Sequence, residues 1–289
     1  TQVGRYKILE KLGKGGMGAV YKAYDSKLER TVALKAFYQK IGQDENSVKQ
    51  FAQEAKANAR LRHPHIVALY DFEQEGEFYF LTMDYIEGCS LYEMLKRRRL
   101  SYRRACTFSL QILGAIEYAH KQGIIHCDLK PGNILIDSNE DLFITDFGLA
   151  KAIAEPTQIL DEDYIWGTPA YMAPEYVAQG VRFLDVQSDI YSIGAIFYEM
   201  LTGQYPFAEH ESSQILQRLL TLQTPKKPSE IDLSIPLDLE EICLKAMAQQ
   251  KDNRYRSAEE MTVAIEEYLL RHPDPSQQKT GQIGRASCR

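Results

Sequence analysis

The chain has 289 residues, of which 44% are hydrophobic and 26% are charged. This composition is typical of a globular protein with two lobes or two domains, and it excludes a chain that is disordered throughout. Lys and Arg number 34 and Asp and Glu number 40, so the net charge is −6 and no overall positive field attracts nucleic acid. We therefore expect no nucleic acid partner.

The five cysteines are scattered and include no C-x-x-C pair, which argues against a disulfide framework and against a zinc knuckle. No stretch holds the ~18 apolar residues that a membrane span needs. The chain begins at Thr1 without a secretion leader. We expect it to be cytoplasmic, by itself or as the cytoplasmic part of a longer protein whose remainder could add a membrane span.

The first part of the chain predicts a small antiparallel sheet. Alternating or apolar stretches predict strands at residues 6–9, 19–24, 31–35, 66–69 and 78–81. Residues 45–61 instead carry apolar side chains at helical spacing, and His63-Pro64 ends that helix. We therefore predict a β lobe with one main helix over residues 1–87.

Beyond Gly88 the periodicity becomes helical. A long helix is predicted over residues 105–122 and ends at Gly123. Further helices are predicted at residues 186–202, 211–222, 238–248 and 258–270, the last after the capping-box pattern Ser257-x-x-Glu260. We predict an α+β fold with a larger, mainly helical lobe over residues 88–271 and a disordered tail over residues 272–289.

A glycine-rich stretch lies between the first two predicted strands. Residues 13–20 follow the pattern G-x-G-x-x-G-x-V, and glycines allow backbone N–H groups to approach phosphate oxygens. A bare turn gives the same letters by chance, so the pattern alone is weak. A dinucleotide-binding loop would need a helix after Gly18, whereas residues 19–24 continue as a strand.

Charged groups suited to phosphate chemistry follow that stretch. Lys35 ends the strand sequence Val-Ala-Leu-Lys, and Glu54 lies on the predicted helix, so an ion pair between them is possible. Taken singly, each residue is more simply read as a solvated charge.

The stretch His-Cys-Asp-Leu-Lys-Pro-Gly-Asn at residues 126–133 is more informative, because it holds Asp128, Lys130 and Asn133 within six residues. A polar turn is the plainer reading. An apolar hairpin follows and can return Asp146 to a place beside Asn133. Two oxygen ligands there would suit Mg²⁺, which takes few carboxylates and completes its shell with phosphates.

In order along the chain, the motifs GxGxxGxV, VALK, HCDLKPGN, DFG and GTPAYMAPE resemble those of the protein kinase family. The likeness covers about Tyr6 to Arg271 and is strongest to the eukaryotic-like (Hanks-type) serine/threonine kinase domains of bacteria. It implies a bilobal protein-kinase-like fold, ATP and Mg²⁺ as cofactors, and transfer of the γ-phosphate to a hydroxyl of a protein substrate.

The resemblance also implies roles for matching positions. Asp128 would accept the substrate proton, Lys130 would reach the transferring phosphate, and Asn133 and Asp146 would hold Mg²⁺. Positions around the nucleotide would form its binding site, with Lys35 oriented by Glu54, Met83 as gatekeeper and the stretch after it as hinge: Leu12, Gly13, Lys14, Gly15, Gly16, Gly18, Val20, Ala33, Lys35, Glu54, Met83, Asp84, Ile86, Leu135 and Asp146. Plain core packing explains the apolar members equally well.

Three further contacts follow from the same resemblance. Thr168 would bridge to Asp128 and Lys130 across the site. Glu175 would pair with Arg254, and Asp189 would hold the backbone of the catalytic loop.

The chain departs from the family at Cys127, where an arginine usually precedes the catalytic aspartate. The pocket for a phosphorylated activation loop would then lack its main cation, and Asp161, Glu162 and Asp163 supply permanent negative charge in that loop. We expect activity without phosphorylation of this loop. Leu149 stands where a β-branched residue goes with threonine preference, which weakly favours serine as acceptor.

Two other functions stay open at this point. A pseudokinase scaffold would bind nucleotide without transfer, although the lysine, base and metal-ligand positions are all present. A kinase of small molecules would share Lys35 and Asp146, but Lys130 and the GTPAYMAPE stretch favour a peptide acceptor.

Overall fold

A computed structural model of the chain describes residues 1–15, 18–37, 45–76, 78–147, 168–208 and 211–274. The first lobe is a six-stranded antiparallel sheet in the order β1-β2-β3-β4-β6-β5. Its strands are β1 (Gln2–Val3), β2 (Tyr6–Gly15), β3 (Gly18–Asp25), β4 (Arg30–Phe37), β5 (Leu69–Glu75) and β6 (Phe78–Asp84), and helix α1 (Glu45–Asn58) lies between β4 and β5.

Alternation along β4 sends its side chains to opposite faces of the sheet. Val32 and Leu34 join one apolar cluster, whereas Ala33 and Phe37 join a second cluster that includes residues of α1. Gly18 is required at the start of β3, because a Cβ there would lie 2.0 Å from the carbonyl oxygen of Ala36. The sheet therefore has one face covered by the helix, as the sequence predicts.

The second lobe is mainly helical. Its helices are α2 (Leu91–Arg97), α3 (Tyr102–Lys121), α4 (Pro174–Gln179), α5 (Val186–Thr202), α6 (Ser212–Leu220), α7 (Pro228–Ile231), α8 (Leu237–Ala246) and α9 (Ala258–Arg271). Helix α5 is buried from Ser188 to Thr202 and packs against α3 and α8. A small sheet of β7 (Gly88–Ser90), β8 (Ile134–Asp137) and β9 (Leu142–Ile144) lies on the cleft side of this core. The fold is α+β and bilobal.

Local signals at helix ends explain where these helices stop and start. Gly123 follows α3 with φ +74°, and the amides of Gly123 and Ile124 bond the carbonyls of His120 and Ala119. Ser257 caps α9 by accepting from the amide of Glu260. The predicted capping box is only half formed, because the Glu260 carboxylate accepts from Arg256 N at 2.7 Å instead of from Ser257.

The two lobes are connected by a covalent hinge and by backbone hydrogen bonds. Residues 85–87 form the covalent hinge between β6 and β7. Behind the cleft, Val67 N donates to Ile144 O at 2.9 Å and Ile144 N donates to His65 O at 2.9 Å. The segment before β5 is therefore hydrogen-bonded to β9 of the other lobe.

One predicted strand is wrong in its position. The strand predicted at residues 66–69 makes only an isolated bridge at Ile66, and the strand begins at Leu69. This strand lies at the sheet edge and is largely polar, so it carries no clear alternation.

Within the described ranges, no helix combines the length and apolarity needed to cross a bilayer.

The start of the predicted tail contacts the large lobe. Arg103 Nη1 donates to His272 O at 3.1 Å, and Arg103 Nε lies 3.6 Å from Asp274 Oδ2. The rest of the predicted tail, residues 275–289, lies outside the described residues.

Candidate active site

The loop between α3 and β8 is held by one buried carboxylate from α5. Asp189 Oδ2 accepts from His126 N at 2.8 Å, and its Oδ1 accepts from Cys127 N at 3.0 Å. His120 Nε2 lies 2.8 Å from the same carboxylate. Cys127 has φ +68°, an uncommon conformation for a residue with a side chain, and the two amide bonds fix it. The predicted role of Asp189 in holding this loop is confirmed.

Asp128 lies in this loop, and of its two carboxylate oxygens only Oδ2 accepts hydrogen bonds from the described residues. Lys130 Nζ lies 2.7 Å from Asp128 Oδ2, and Asn133 Nδ2 donates to the same oxygen at 3.1 Å and to Asp128 O at 2.8 Å. In the described part of the chain, no group donates to Asp128 Oδ1. With a side chain 22% exposed, this carboxylate is oriented yet reachable by a substrate. Asp128, Lys130 and Asn133 are thus brought together.

The β8–β9 hairpin returns the chain to Asn133. Thr145 N donates to Asn133 O at 3.0 Å, which places Asp146 directly after a residue bonded to Asn133. The Asn133 Nδ2 group is engaged with Asp128, so its Oδ1 is the atom left for a cation. Amide and carboxylate oxygens are ligands that suit Mg²⁺, and the described residues contain no group of three or more His, Cys, Asp or Glu side chains that could hold a metal ion.

The ion-pair partner of Lys35 differs from the predicted one. The predicted ion pair with Glu54 is not formed among the described residues; Lys35 Nζ instead lies 2.8 Å from Asp146 Oδ2. The Lys35 side chain is buried, and a buried ammonium needs an adjacent anion. Asp146 supplies that anion, whereas Glu54 is half-exposed and can be solvated. The lysine and the predicted metal ligand are therefore in direct contact.

Most of the apolar positions predicted around the nucleotide belong to one hydrophobic cluster or pack against it. Ala33 and Met83 are buried in the cluster beneath α1, and Val20, Ile86 and Leu135 pack against it. Leu12, on β2, is 45% exposed and does not belong to this cluster. The surface lies at the cleft between the sheet and β8.

The hinge side of the site is fixed by Asp84. Its carboxylate accepts from Ala68 N at 3.1 Å and from the Tyr70 hydroxyl, and its own amide donates to Ala68 O. Its N–H and side chain therefore hold Ala68, just before β5, and Tyr70 within β5.

The glycine-rich stretch forms the tip of the β2–β3 hairpin. Gly13 pairs with Val20, Lys14 with Ala19, and Gly15 with Gly18. Gly16 lies outside the described residues. Because β3 begins at Gly18, no helix follows that glycine, which agrees with the rejection of a dinucleotide-binding loop.

A cavity of about 20 Å³ lies under the catalytic loop. It is lined by Cys127, Asp128, Lys130, Thr168 and Tyr176, together with residues of α5. Thr168 shares this cavity, but the predicted hydrogen bonds from it to Asp128 and Lys130 are not formed. Burial, with the nearby negative charge of Asp128, raises the pKa of Tyr176.

Six further residues of the quoted motifs and of the predicted activation loop fall outside the described residues. They are Gly148, Leu149, Asp161, Glu162, Asp163 and Gly167.

Glu175 and Arg254 form the predicted pair at the base of the site. Arg254 Nη1 and Nη2 donate to the two carboxylate oxygens of Glu175 at 2.9 and 2.8 Å. The remaining guanidinium N–H groups donate to the carbonyls of Gln187, Ala248 and Gln249. Burial would raise the pKa of Glu175, but the Arg254 bonds and charge outweigh it and hold this pKa below its ordinary value.

Two residues of the site were not singled out from the sequence. His126 is buried, its Nε2 lies 3.0 Å from Thr145 O, and its ring lies 4.7 Å from the ring of Phe147. Asn58 of α1 donates to the carbonyl of Phe147. The first belongs to a quoted motif; the second could have been noticed as an amide on the buried face of a helix.

A β lobe and a helical lobe are joined by a short hinge, with Lys35 paired to Asp146 across them and Asp128 held by Lys130 and Asn133, and this is a protein-kinase-like arrangement. A family model described as "Protein kinase domain" matches residues 6–265. The chain belongs to the protein kinase family, as a Hanks-type serine/threonine protein kinase domain of the bacterial branch.

Curated relatives carry the same description. The serine/threonine-protein kinase PrkC of Bacillus subtilis is 37% identical over 263 residues, which are 91% of this chain and 40% of that protein. A probable serine/threonine-protein kinase of Clostridium acetobutylicum is 37% identical over 259 residues, 89% of this chain and 39% of that protein. PknL of Mycobacterium tuberculosis is 37% identical over 263 residues and is covered to 65%. The chain thus spans about two fifths of the length of the first two.

A solved structure shows the same fold. The kinase domain of Mycobacterium tuberculosis PknI superposes with a TM-score of 0.73 at 24% identity, covering 92% of this chain and 97% of that one.

Proposed function

We propose that this domain transfers the γ-phosphate of ATP to a serine or threonine hydroxyl of a protein, with Asp128 as the general base. The observation that carries the proposal is the state of its carboxylate: Oδ2 is bonded to Lys130 and Asn133, and Oδ1 is open in the described residues. A carboxylate oriented in this way can accept a hydroxyl proton within hydrogen-bond reach.

The other residues bind and neutralise charge. Asn133 Oδ1 and the Asp146 carboxylate would hold Mg²⁺, which supplies charge neutralisation on the phosphates when bound with ATP. Lys35, next to Asp146, would hold phosphate oxygens, and Lys130, next to Asp128, would stabilise the transferring group. The apolar surface of Val20, Ala33 and Leu135 would take the base of the nucleotide.

The test is phosphate transfer from radiolabelled ATP to a protein mixture. Asp128→Asn should lower transfer by about 10²–10⁴-fold, the usual contribution of a general base, and should leave nucleotide binding intact. Asp252→Asn, an exposed aspartate far from the loop in sequence, is the matched control and should transfer like the parent. Equal transfer by Asp128→Asn and the parent would refute the proposal. Nucleotide binding without transfer by the parent would support the pseudokinase scaffold instead.

Independence from activation-loop phosphorylation is part of this proposal. Cys127 lines the cavity under the loop, and the cation there, Lys130, is paired with Asp128. A phosphate arriving at this cavity would find little positive charge to order the loop. Protein co-expressed with a phosphatase should therefore turn over ATP at full rate. An inert dephosphorylated protein that recovers on loop phosphorylation would contradict this.

Three further expectations, on the acceptor residue, the compartment and the division into lobes, complete the proposal. Serine is the preferred acceptor, which a pair of peptides differing only in serine or threonine would test. The domain works in a reducing, cytoplasmic compartment, which the free thiols of Cys89, Cys106 and Cys243 support. The functional division is 1–87 and 88–271, with the nucleotide between the lobes.

A further inference from the structure

Strand β3 places a lysine on the face of the sheet that lines the cleft. Lys22 lies two residues after Val20 and so on the same face, and it pairs with Ala33 on β4, which pairs in turn with Met83 on β6. Val20, Ala33 and Met83 belong to the apolar cluster beneath α1 or pack against it. Lys22 is therefore a cation beside an apolar surface. Because Met83 lies just before the hinge, this cation lies at the hinge end of the cleft.

The ammonium of Lys22 contacts the ring of a hinge residue. Lys22 Nζ lies 4.5 Å from the centroid of the Tyr85 ring and 3.7 Å from Glu10 Oε1. The Glu10 side chain is 59% exposed, so solvent screens that ion pair. The interaction with Tyr85, more than the charges of Glu10 and Glu87, raises the pKa of Lys22. Tyr85 is therefore the main partner of this lysine.

The residues on both sides of Tyr85 are held by other parts of the small lobe. Asp84 N donates to Ala68 O, and the Asp84 carboxylate accepts from Ala68 N. Ile86 packs against the apolar cluster beneath α1. Lys22 adds a contact from β3 to the residue between them. Three consecutive residues at the hinge are thus fixed from three different parts of the small lobe.

We propose that Lys22 is a positioning residue of the nucleotide site, which holds the Tyr85 ring and thereby keeps the hinge backbone in the conformation that binds the base. The inference rests on the proposed function, because that function places the base on the surface of Val20, Ala33 and Leu135. Loss of the ammonium releases Tyr85 from β3. Binding of the base then has to order the hinge backbone, which weakens binding of the base and leaves contacts to the phosphates unchanged.

The experiment is a double-mutant cycle at Lys22 and Tyr85. Lys22→Met keeps the apolar stem and removes the charge, whereas Lys22→Arg keeps a cation that can stack on the ring. Tyr85→Leu keeps an apolar side chain and removes the ring. Lys7→Met, at an exposed lysine of β2, is the matched control for the loss of one positive charge from the same sheet.

The primary measurement is the dissociation constant of adenosine, which carries no phosphate, beside that of ADP. Lys22→Met should weaken binding of both ligands by the same factor, about two- to fivefold, which is the usual range for one exposed cation–π contact. Lys22→Arg and Lys7→Met should bind both ligands like the parent. In the Tyr85→Leu background, Lys22→Met should have no further effect.

Steady-state phosphate transfer gives an independent readout. Lys22→Met should raise the KM for ATP by the same factor and leave kcat unchanged, because the contact acts equally in the bound complex and in the transition state. A fall in kcat with an unchanged KM for ATP would overturn the inference.

Three binding results would also overturn it. Weaker binding of ADP with unchanged binding of adenosine would show that the charge acts on the phosphates. An effect of Lys22→Met that persists in the Tyr85→Leu background would show that Lys22 does not act through the ring. A lower melting temperature with unchanged binding of adenosine would assign the lysine to stability. Failure of the proposed function is distinguishable: the parent would bind adenosine and transfer no phosphate, while the adenosine constants of the variants would still report on Lys22.

Discussion

Replacement of Arg254 by methionine tests how strongly the base of the large lobe depends on one buried ion pair. The Arg254 side chain is fully buried and that of Glu175 is 9% exposed. Arg254→Met keeps an apolar stem and removes all five N–H donors. It removes the bidentate partner of Glu175 and the donor to three carbonyls, although Ser188 Oγ at 2.6 Å and Lys251 Nζ at 3.8 Å still face the carboxylate; breaking a buried pair in this way typically costs about 3–5 kcal/mol. Because domains have about 5–15 kcal/mol in total, this is a large loss.

Urea unfolding of four proteins separates the pair from its surroundings. Arg254→Met should lower the free energy of unfolding by about 3–5 kcal/mol, or the melting temperature by roughly 6–20 °C. Glu175→Gln leaves no buried anion, so the double variant should be more stable than the sum of the single effects predicts, by about 1–3 kcal/mol. A loss below about 1 kcal/mol in Arg254→Met would refute the reasoning.

The same variant has a signed dependence on pH. The folded-state pKa of Glu175 is lowered, so the pair contributes stability that is complete above the ordinary value of 4.5 and is lost as pH falls through the folded pKa. In Arg254→Met the bonds and charge of Arg254 no longer oppose burial, although the Ser188 hydrogen bond remains, so the pKa of Glu175 should rise relative to the parent. The difference in stability between parent and variant should therefore shrink from pH 7 to pH 4, and a constant difference would contradict the assignment.

Three other predictions concern single positions. Gly88→Ala would put a Cβ 1.8 Å from Ile136 O, so it should lower the melting temperature by several degrees, whereas Gly132→Ala, with open space, should not. Asp189→Asn sets an amide against the loop N–H groups and should lower kcat at least about tenfold; an unchanged kcat would show that another contact holds the loop. Burial raises the pKa of Glu199, so the stability of the parent relative to Glu199→Gln should fall as pH rises from 4.5 through that pKa, and a flat difference in urea titrations would contradict this.

The fold was predictable where the apolar content or the alternation of a segment matches its burial. Helix α5 occupies residues 186–202 as its apolar content predicts, and β4 alternates between two clusters. Strand β5 was not predictable, because an edge strand with the sequence Leu-Tyr-Asp-Phe-Glu-Gln-Glu buries little on either face. Among the short helices, α2 has a capping box, whereas α4 and α7 begin with a proline and have no side-chain cap bond, and all three span too few residues to show a period.

The sequence predicts which residues lie at the site better than it predicts which of them form ion pairs or hydrogen bonds with each other. Motif spacing brings Asp128, Lys130 and Asn133 together because they lie in one loop. The partner of Lys35 depends on how α1 packs, and spacing along the chain does not rank Glu54 against Asp146. Thr168 is a similar case, since it shares a cavity with the loop without a hydrogen bond to it.

The contacts between the lobes limit how far the lobes can separate. Besides the covalent hinge at residues 85–87, the backbone hydrogen bonds of His65 and Val67 to Ile144 and the Lys35–Asp146 ion pair cross from one lobe to the other. Separation of the lobes therefore has to break an ion pair and two backbone hydrogen bonds in addition to bending the hinge.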